Sequence, residues 1–330
     1  MKDLIEKLTE AYGPSGREEQ IREIIRAEVE SLADEIRVDT MGNLIALKKG
    51  TGQGKKVMLA AHMDEIGLII SHVDEKGFLR AQRVGGVDPI TLTGGRVQFS
   101  DGTIGVIAPE KRPEFSKDPD LAKLYIDIGA TSQAEAADRL GQVVGFVRPF
   151  TDMGNRVVAK AMDDRIGCAV LVETMRRIGD SPHDLYFVFT VQEEVGLRGA
   201  QTGAYGVQPD VGIAVDVTVA ADTPEAYKMA MKLGQGPCIK VKDGRMLAHS
   251  GLKDLLIETA EAKEIPYQLE VLAWGSTDAA AIQLSRGGVP AGCVSIACRY
   301  VHTPSEMVDM DDVENAVKLF VAVLEGPIEL

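Results

Sequence analysis

The stretch KVMLAAHMDEIG, residues 56–67, decides how this 330-residue chain reads. Val57 to Ala61 form an unbroken apolar run that delivers His62 and, two residues on, Asp64. Such a run bounded by turn residues reads as a strand. Three more runs end the same way: YFVFTVQEE (186–194) reaches Glu193 and Glu194, IAVD (213–216) reaches Asp216, and VSIACRYVH (294–302) reaches His302. In open α/β sheets ligands bind beyond the carboxyl ends of the strands, so these side chains have a physical reason to converge.

Upstream, Ser15 with Glu18 three residues later, followed by Ile21, Ile24, Ile25 and Val29, predicts a capping box and an amphipathic helix, and Asn43 to Leu47 predicts a strand. Beyond Met153, helices are expected at about 164–178, 252–263 and 311–324, with strands at 185–191, 212–217 and 293–297. Strands alternating with helices imply a largely parallel sheet covered on both faces. From about Gly67 to Met153 the pattern changes to short alternating strands separated by Gly85-Gly86, Gly94-Gly95 and Asp101-Gly102, as in a small β-domain. The expected architecture is α/β, a mostly parallel mixed sheet flanked by helices and formed by residues 1–66 and 154–330. A small β-barrel-like domain, residues 67–153, is inserted into it. The charged stretch Glu110 to Lys123 offers little apolar area and reads as a mobile surface loop.

The chain is 45% apolar and 26% charged, an ordinary composition that can bury a sizeable core. A formal net charge of -14 repels phosphate backbones and anionic lipid, so neither nucleic acid nor membrane is an expected partner. The same field attracts metal ions and peptide amino termini. Cys168, Cys238, Cys293 and Cys298 form no CxxC pair and lie mostly among apolar residues, which fits buried thiols in a reducing compartment. The amino terminus, MKDLIEKLTEAYG, lacks the apolar core and cleavage site of a signal peptide, and no run of about 18 apolar residues occurs. A cytoplasmic location is expected.

Singly, a histidine after a strand is more often a hydrogen-bonded residue than a ligand, and a lone aspartate more often a turn former or cap. Four coincidences of position and chemistry reverse that balance. A fifth element is MDDR (162–165), where Asp163 and Asp164 stand at an apparent helix start. Capping uses one acid, and the other is free to bridge two divalent ions about 3.5–4 Å apart. His62, Asp163, Glu194, Asp216 and His302 then give each ion three protein groups and leave a shared position for water, an open catalytic arrangement. Imidazole and carboxylate without thiolate favour zinc, with cobalt or manganese as alternatives. Asp64 is placed to orient His62 through the ring nitrogen not used for metal. Glu193 and Glu194 cannot both point into the cage if the strand continues through them. Glu194 is assigned to metal and Glu193 to proton transfer from the shared water, although spacing alone leaves the reverse open.

Paired glutamates also raise a glycosidase reading. That chemistry needs about 5–9.5 Å between carboxyls, which neighbours meet only by pointing apart, and it leaves the other ligands unused. Two further alternatives are a dinuclear amidohydrolase of N-acyl amino acids or peptides and a non-catalytic metal-binding assembly protein.

The segments AAHMDEIG (60–67), AMDDRIG (161–167), VQEEVGLRGA (191–200), AVDVT (214–218), GSTDA (275–279) and YVHTPSEMV (300–308) together resemble the M42 family of metallo-aminopeptidases, in order and over nearly the whole chain. The resemblance implies a fold of the dinuclear-metal exopeptidase type. It implies one ion on His62, Asp163 and Asp216, the other on Asp163, Glu194 and His302, and Glu193 as the base. It further implies removal of the amino-terminal residue from short peptides, a β-domain that mediates dimer formation, and dimers assembled into a hollow tetrahedral dodecamer. One departure is Ala297-Cys298, where the family pattern has proline and threonine before Arg299; it bears on the substrate pocket and not on the ligands.

His72, His183 and His249 read as ordinary polar residues. Trp274 either packs in the core or lines the pocket, and Ser276, Thr277 and Asp278 either position the peptide or form a plain turn.

Overall fold

The computed structural model describes residues 1–52 and 54–330. An eleven-stranded mixed sheet forms the larger body. At its middle, Lys56–His62 pairs in parallel with Asp184–Thr190 on one side and Val211–Val219 on the other, and the latter pairs in parallel with Ala291–Arg299. Burial on both faces explains why these strands read as continuous apolar runs. Along Lys56–His62, Val57, Leu59 and Ala61 join the main core, while Met58 and Ala60 enter a second one. The main core is shared with the helices Met162–Arg177 and Met310–Glu325, and the second with Arg198–Val207 and Asp278–Gln283.

Antiparallel strands extend the sheet at both margins. Leu44–Lys48 and Glu35–Val38 add beside Asp184–Thr190, and Glu306–Asp309, Arg156–Ala159 and Thr151–Asp152 add beyond Ala291–Arg299. The sheet is therefore parallel at its centre, where register aligns the strand ends: His62 lies opposite Thr190, and Asp216 opposite Ser295.

Six strands between Gly67 and Val147 close into an antiparallel barrel. Leu68, Ile70, Val97, Phe99, Ile107, Ile126, Val144 and Phe146 fill it. Closure removes the free edges that short strands would otherwise expose. A buried charge cluster joins the barrel entrance to the larger body. Lys160 Nζ donates to Glu65 at 2.9 and 2.7 Å and to the Ala11 carbonyl at 3.0 Å. Arg165, fully buried, donates to the carbonyls of Leu8 at 2.6 Å and Gly13 at 3.3 Å, satisfying main-chain groups around the end of the helix Lys2–Glu10.

Two expectations are overturned. The segment 110–123 is not a plain surface loop: Arg112–Lys117 is helical, and Phe115 and Leu121 are buried in the barrel core. Nor do Ser15 and Glu18 form a capping box. The helix Glu19–Val29 has no side-chain cap, because both side chains turn toward the strand ends instead.

Candidate metal centre and active site

Beyond the central strands the backbone becomes irregular, and this is what gathers the side chains. After Asp184–Thr190 the chain turns at Gln192, whose φ is +55°. Glu193 and Glu194 thus do not continue a strand, and both reach the same place. Glu193 Oε2 is 4.0 Å from His62 Nε2, and Glu194 Oε2 is 3.3 Å from His302 Nε2. His302 is turned inward by a φ of +62°.

Asp163 lies between the two histidines. Its Oδ1 is 3.0 Å from His62 Nε2 and its Oδ2 is 3.3 Å from His302 Nε2. Asp216 Oδ1 is 4.0 Å from the same His62 nitrogen. Asp163 and Asp164 have non-helical backbone, so the regular helix begins after them. Asp164 Oδ1 accepts the Gly167 N–H at 3.0 Å and caps the first turn. Gly167 is required there, since a Cβ would lie 2.3 Å from Asp164 Oδ2.

Asp64 is fully buried. His62 Nδ1 lies 3.1 Å from the Asp64 carbonyl and 3.6 Å from its carboxylate, so the carbonyl is the nearer acceptor. The carboxylate accepts the Ser15 hydroxyl at 2.6 Å and the N–H groups of Glu193 and Glu194 at 3.0 and 3.3 Å. It holds the turn that carries both glutamates. Glu18 adds a bond from the Gln192 N–H at 3.2 Å, and burial together with Asp64 pushes its carboxyl up to about 7.

Burial raises the carboxyl pKa values of Glu193, Asp164 and Asp216 well above the ordinary range, and neighbouring carboxylates add to it. Burial acts the same way on Asp163, but the bonds to His302 and His62 outweigh it and lower that group. On His62 burial alone would lower the pKa, and Asp163 and Asp64 raise it instead. Oε1 of Glu194, Oδ2 of Asp164 and Oδ1 of Asp278 are buried without a hydrogen-bond partner. So many buried carboxylates around two imidazoles leave negative charge uncompensated, which is costly without a cation. Two groups can each bring ligand atoms within 4.8 Å of one another: His62 with Asp164 and Asp216, and His62 with Asp163 and Glu194. The donor set, nitrogen and oxygen without sulfur, fits divalent ions of the zinc, cobalt and manganese type.

The site opens into a cavity of about 740 Å³ whose walls include Thr218, Lys240, Arg245, Trp274, Ser276 and Thr277. Trp274 is 41% exposed and meets the Tyr227 ring edge to face at 4.8 Å, so it is wall and not core. Asp278 is buried and accepts the Thr190 hydroxyl. His183 bonds main-chain groups through both ring nitrogens, His249 accepts the Leu252 N–H, and His72 is exposed on the barrel; none joins the site.

The model of the M42 glutamyl aminopeptidase family matches residues 42–319. The chain belongs to this family. It is an aminopeptidase, a hydrolase of peptide bonds. It is 38% identical to the lysyl aminopeptidase of Pyrococcus furiosus over 98% of this chain and 96% of that one. Aminopeptidase APDkam598 from Desulfurococcus kamchatkensis, 42% identical, superposes with a TM-score of 0.95 over 99% of this chain and 95% of its own. The TET1 peptidase of Pyrococcus horikoshii, described as able to assemble into a tetrahedron or a large octahedral shell, is 33% identical with a TM-score of 0.86 over 98% of each chain.

Some residues that shape the site of this M42 aminopeptidase carried no readable signal. The Gly85-Gly86 turn of the barrel packs against it: a Cβ on Gly86 would lie 2.3 Å from His302 Nδ1, and one on Gly85 would lie 3.1 Å from Glu194 Oε2. In the sequence this pair reads only as a turn.

Proposed function

We propose that the chain removes the amino-terminal residue from short peptides at a centre of two divalent cations. His62, Asp163 and Asp216 would hold one, Asp163, Glu194 and His302 the other, with Glu193 as general base and Asp64 positioning both His62 and the turn of Glu193. The observation that carries this reading is Asp163, whose two oxygens face the two histidines at 3.0 and 3.3 Å. Asp163 is preferred to Asp164 as the shared ligand because one oxygen of Asp164 is taken by the Gly167 N–H.

Bound there, the ions would polarise a scissile carbonyl and acidify water, with zinc favoured by the donor set and cobalt or manganese as alternatives. Glu193 would accept a proton from the attacking water and return it to the leaving amine, its side chain lying 4.0 Å from His62 Nε2 at the edge of the ligand cluster. The net charge of -14 draws in the ammonium group of a free amino terminus. It equally disfavours nucleic acid and membrane partners, and no helix of the described residues is long and apolar enough to cross a membrane.

Residues 67–153 are read as a dimerisation domain on a catalytic body of residues 1–66 and 154–330, and dimers as the building blocks of a tetrahedral dodecamer. The likeness to the Pyrococcus horikoshii peptidase supports this assembly. Four buried free cysteines support a cytoplasmic setting. A panel of aminoacyl chromogenic substrates assayed with zinc, cobalt and manganese in turn tests the reading. Hydrolysis of free aminoacyl substrates is expected, whereas preference for amino-terminally blocked ones would assign the chain to the amidohydrolase alternative.

A further inference from the structure

Glu306 is a buried acid beside the site that the proposed chemistry does not use. It begins the strand Glu306–Asp309 and is paired with Ala159 of Arg156–Ala159, so its main chain is fixed within the sheet. Its side chain is 1% exposed and forms no ion pair among the described residues. Instead each carboxylate oxygen accepts one main-chain N–H: Oε2 that of Asp163 at 3.0 Å, and Oε1 that of His302 at 2.8 Å. Neither donor is held by a ladder or a regular helix. Asp163 has a ψ of 106° ahead of the regular helix, and His302 sits in a turn with a positive φ.

Those are the two residues whose side chains meet at 3.3 Å in the site. A carboxyl group buried without an ion pair is costly unless its oxygens are hydrogen-bonded, and here each oxygen has one main-chain donor. One rigid strand residue therefore spans two irregular segments and fixes the distance between them.

We propose that Glu306 is a positioning residue whose carboxylate sets the spacing of Asp163 and His302, and thereby the affinity of the cation site they form with Glu194. The inference rests on the reading of that site as a cation site. Removing a group that orients a ligand typically lowers metal affinity about 10–100-fold. Glu306→Gln keeps shape but turns an amide NH2 toward one of the two N–H donors. Glu306→Asp is one methylene too short to reach both. Neither change alters a proposed ligand.

The test strips wild type and both variants with a chelator and titrates each with Zn²⁺ or Co²⁺ by calorimetry, with circular dichroism to certify folding. Wild type is expected to bind two ions per chain, and each folded variant to lose about 10–100-fold in affinity in at least one of the two steps, since Asp163 is shared by both. A residue that only stabilises the fold would lower Tm and leave both affinities of the folded protein unchanged, and that result overturns the inference. If one variant does not fold, the other gives the same reading. Wild-type protein that binds no divalent cation would overturn the cation-site reading itself.

Discussion

Glu193 stands on a turn whose N–H groups are held by Asp64, which is in turn bonded by Ser15, so the proposed base is fixed from behind. Glu193→Gln preserves shape and removes only the ability to take a proton. Turnover should fall by about 10²–10⁴-fold while the metal content, read by elemental analysis, stays at the wild-type value. Unchanged turnover would remove Glu193 from the mechanism. Gly86→Ala tests the barrel's reach into the site. The added methyl has no room beside the His302 ring, so kcat should drop while the barrel stays folded by circular dichroism. Full activity in that variant would show that His302 can move without consequence.

Among elements, the link from the barrel entrance to the amino-terminal helix depends on Glu65, Lys160 and Arg165, all at most 6% exposed. Breaking a buried pair by removing one partner leaves an uncompensated charge, so Glu65→Gln should destabilise the fold by about 3–5 kcal/mol in denaturant unfolding. A loss under about 1 kcal/mol would mean that water reaches the cluster. The central strands were legible because a strand covered on both faces stays apolar until it leaves the sheet, so the first polar residues after each run mark its end. His62, Asp216, Glu193 and Glu194 were found that way, and the spare acid at 163–164 by asking how many a cap can use. The same reasoning failed at Ser15 and Glu18, since a serine followed three residues later by glutamate looks alike whether the side chains cap a helix or reach across to Asp64. It failed at 110–123 because Phe115 and Leu121 are too few to register in a charged composition, yet enough to anchor the segment in the barrel. Glu306 carried no signal at all, as its partners are main-chain groups of distant residues.

At the scale of the whole molecule, the barrel shows apolar side chains outward: Ile104 and Val106 are 44% and 45% exposed on the same strand. If the barrel mediates dimer formation, I104D/V106D should shift sedimentation toward smaller species. An unchanged sedimentation profile would move the interface elsewhere. The central claim is that two cations and Glu193 make the chain an aminopeptidase, and one measurement addresses all of it: hydrolysis of matched free and amino-terminally acetylated short peptides by the chelator-stripped and then metal-restored protein. The account predicts no activity when stripped, recovery as two equivalents of zinc or cobalt bind, and release of the first residue from the free peptide alone. Full activity in the stripped protein, or faster cleavage of the acetylated peptide, would contradict it.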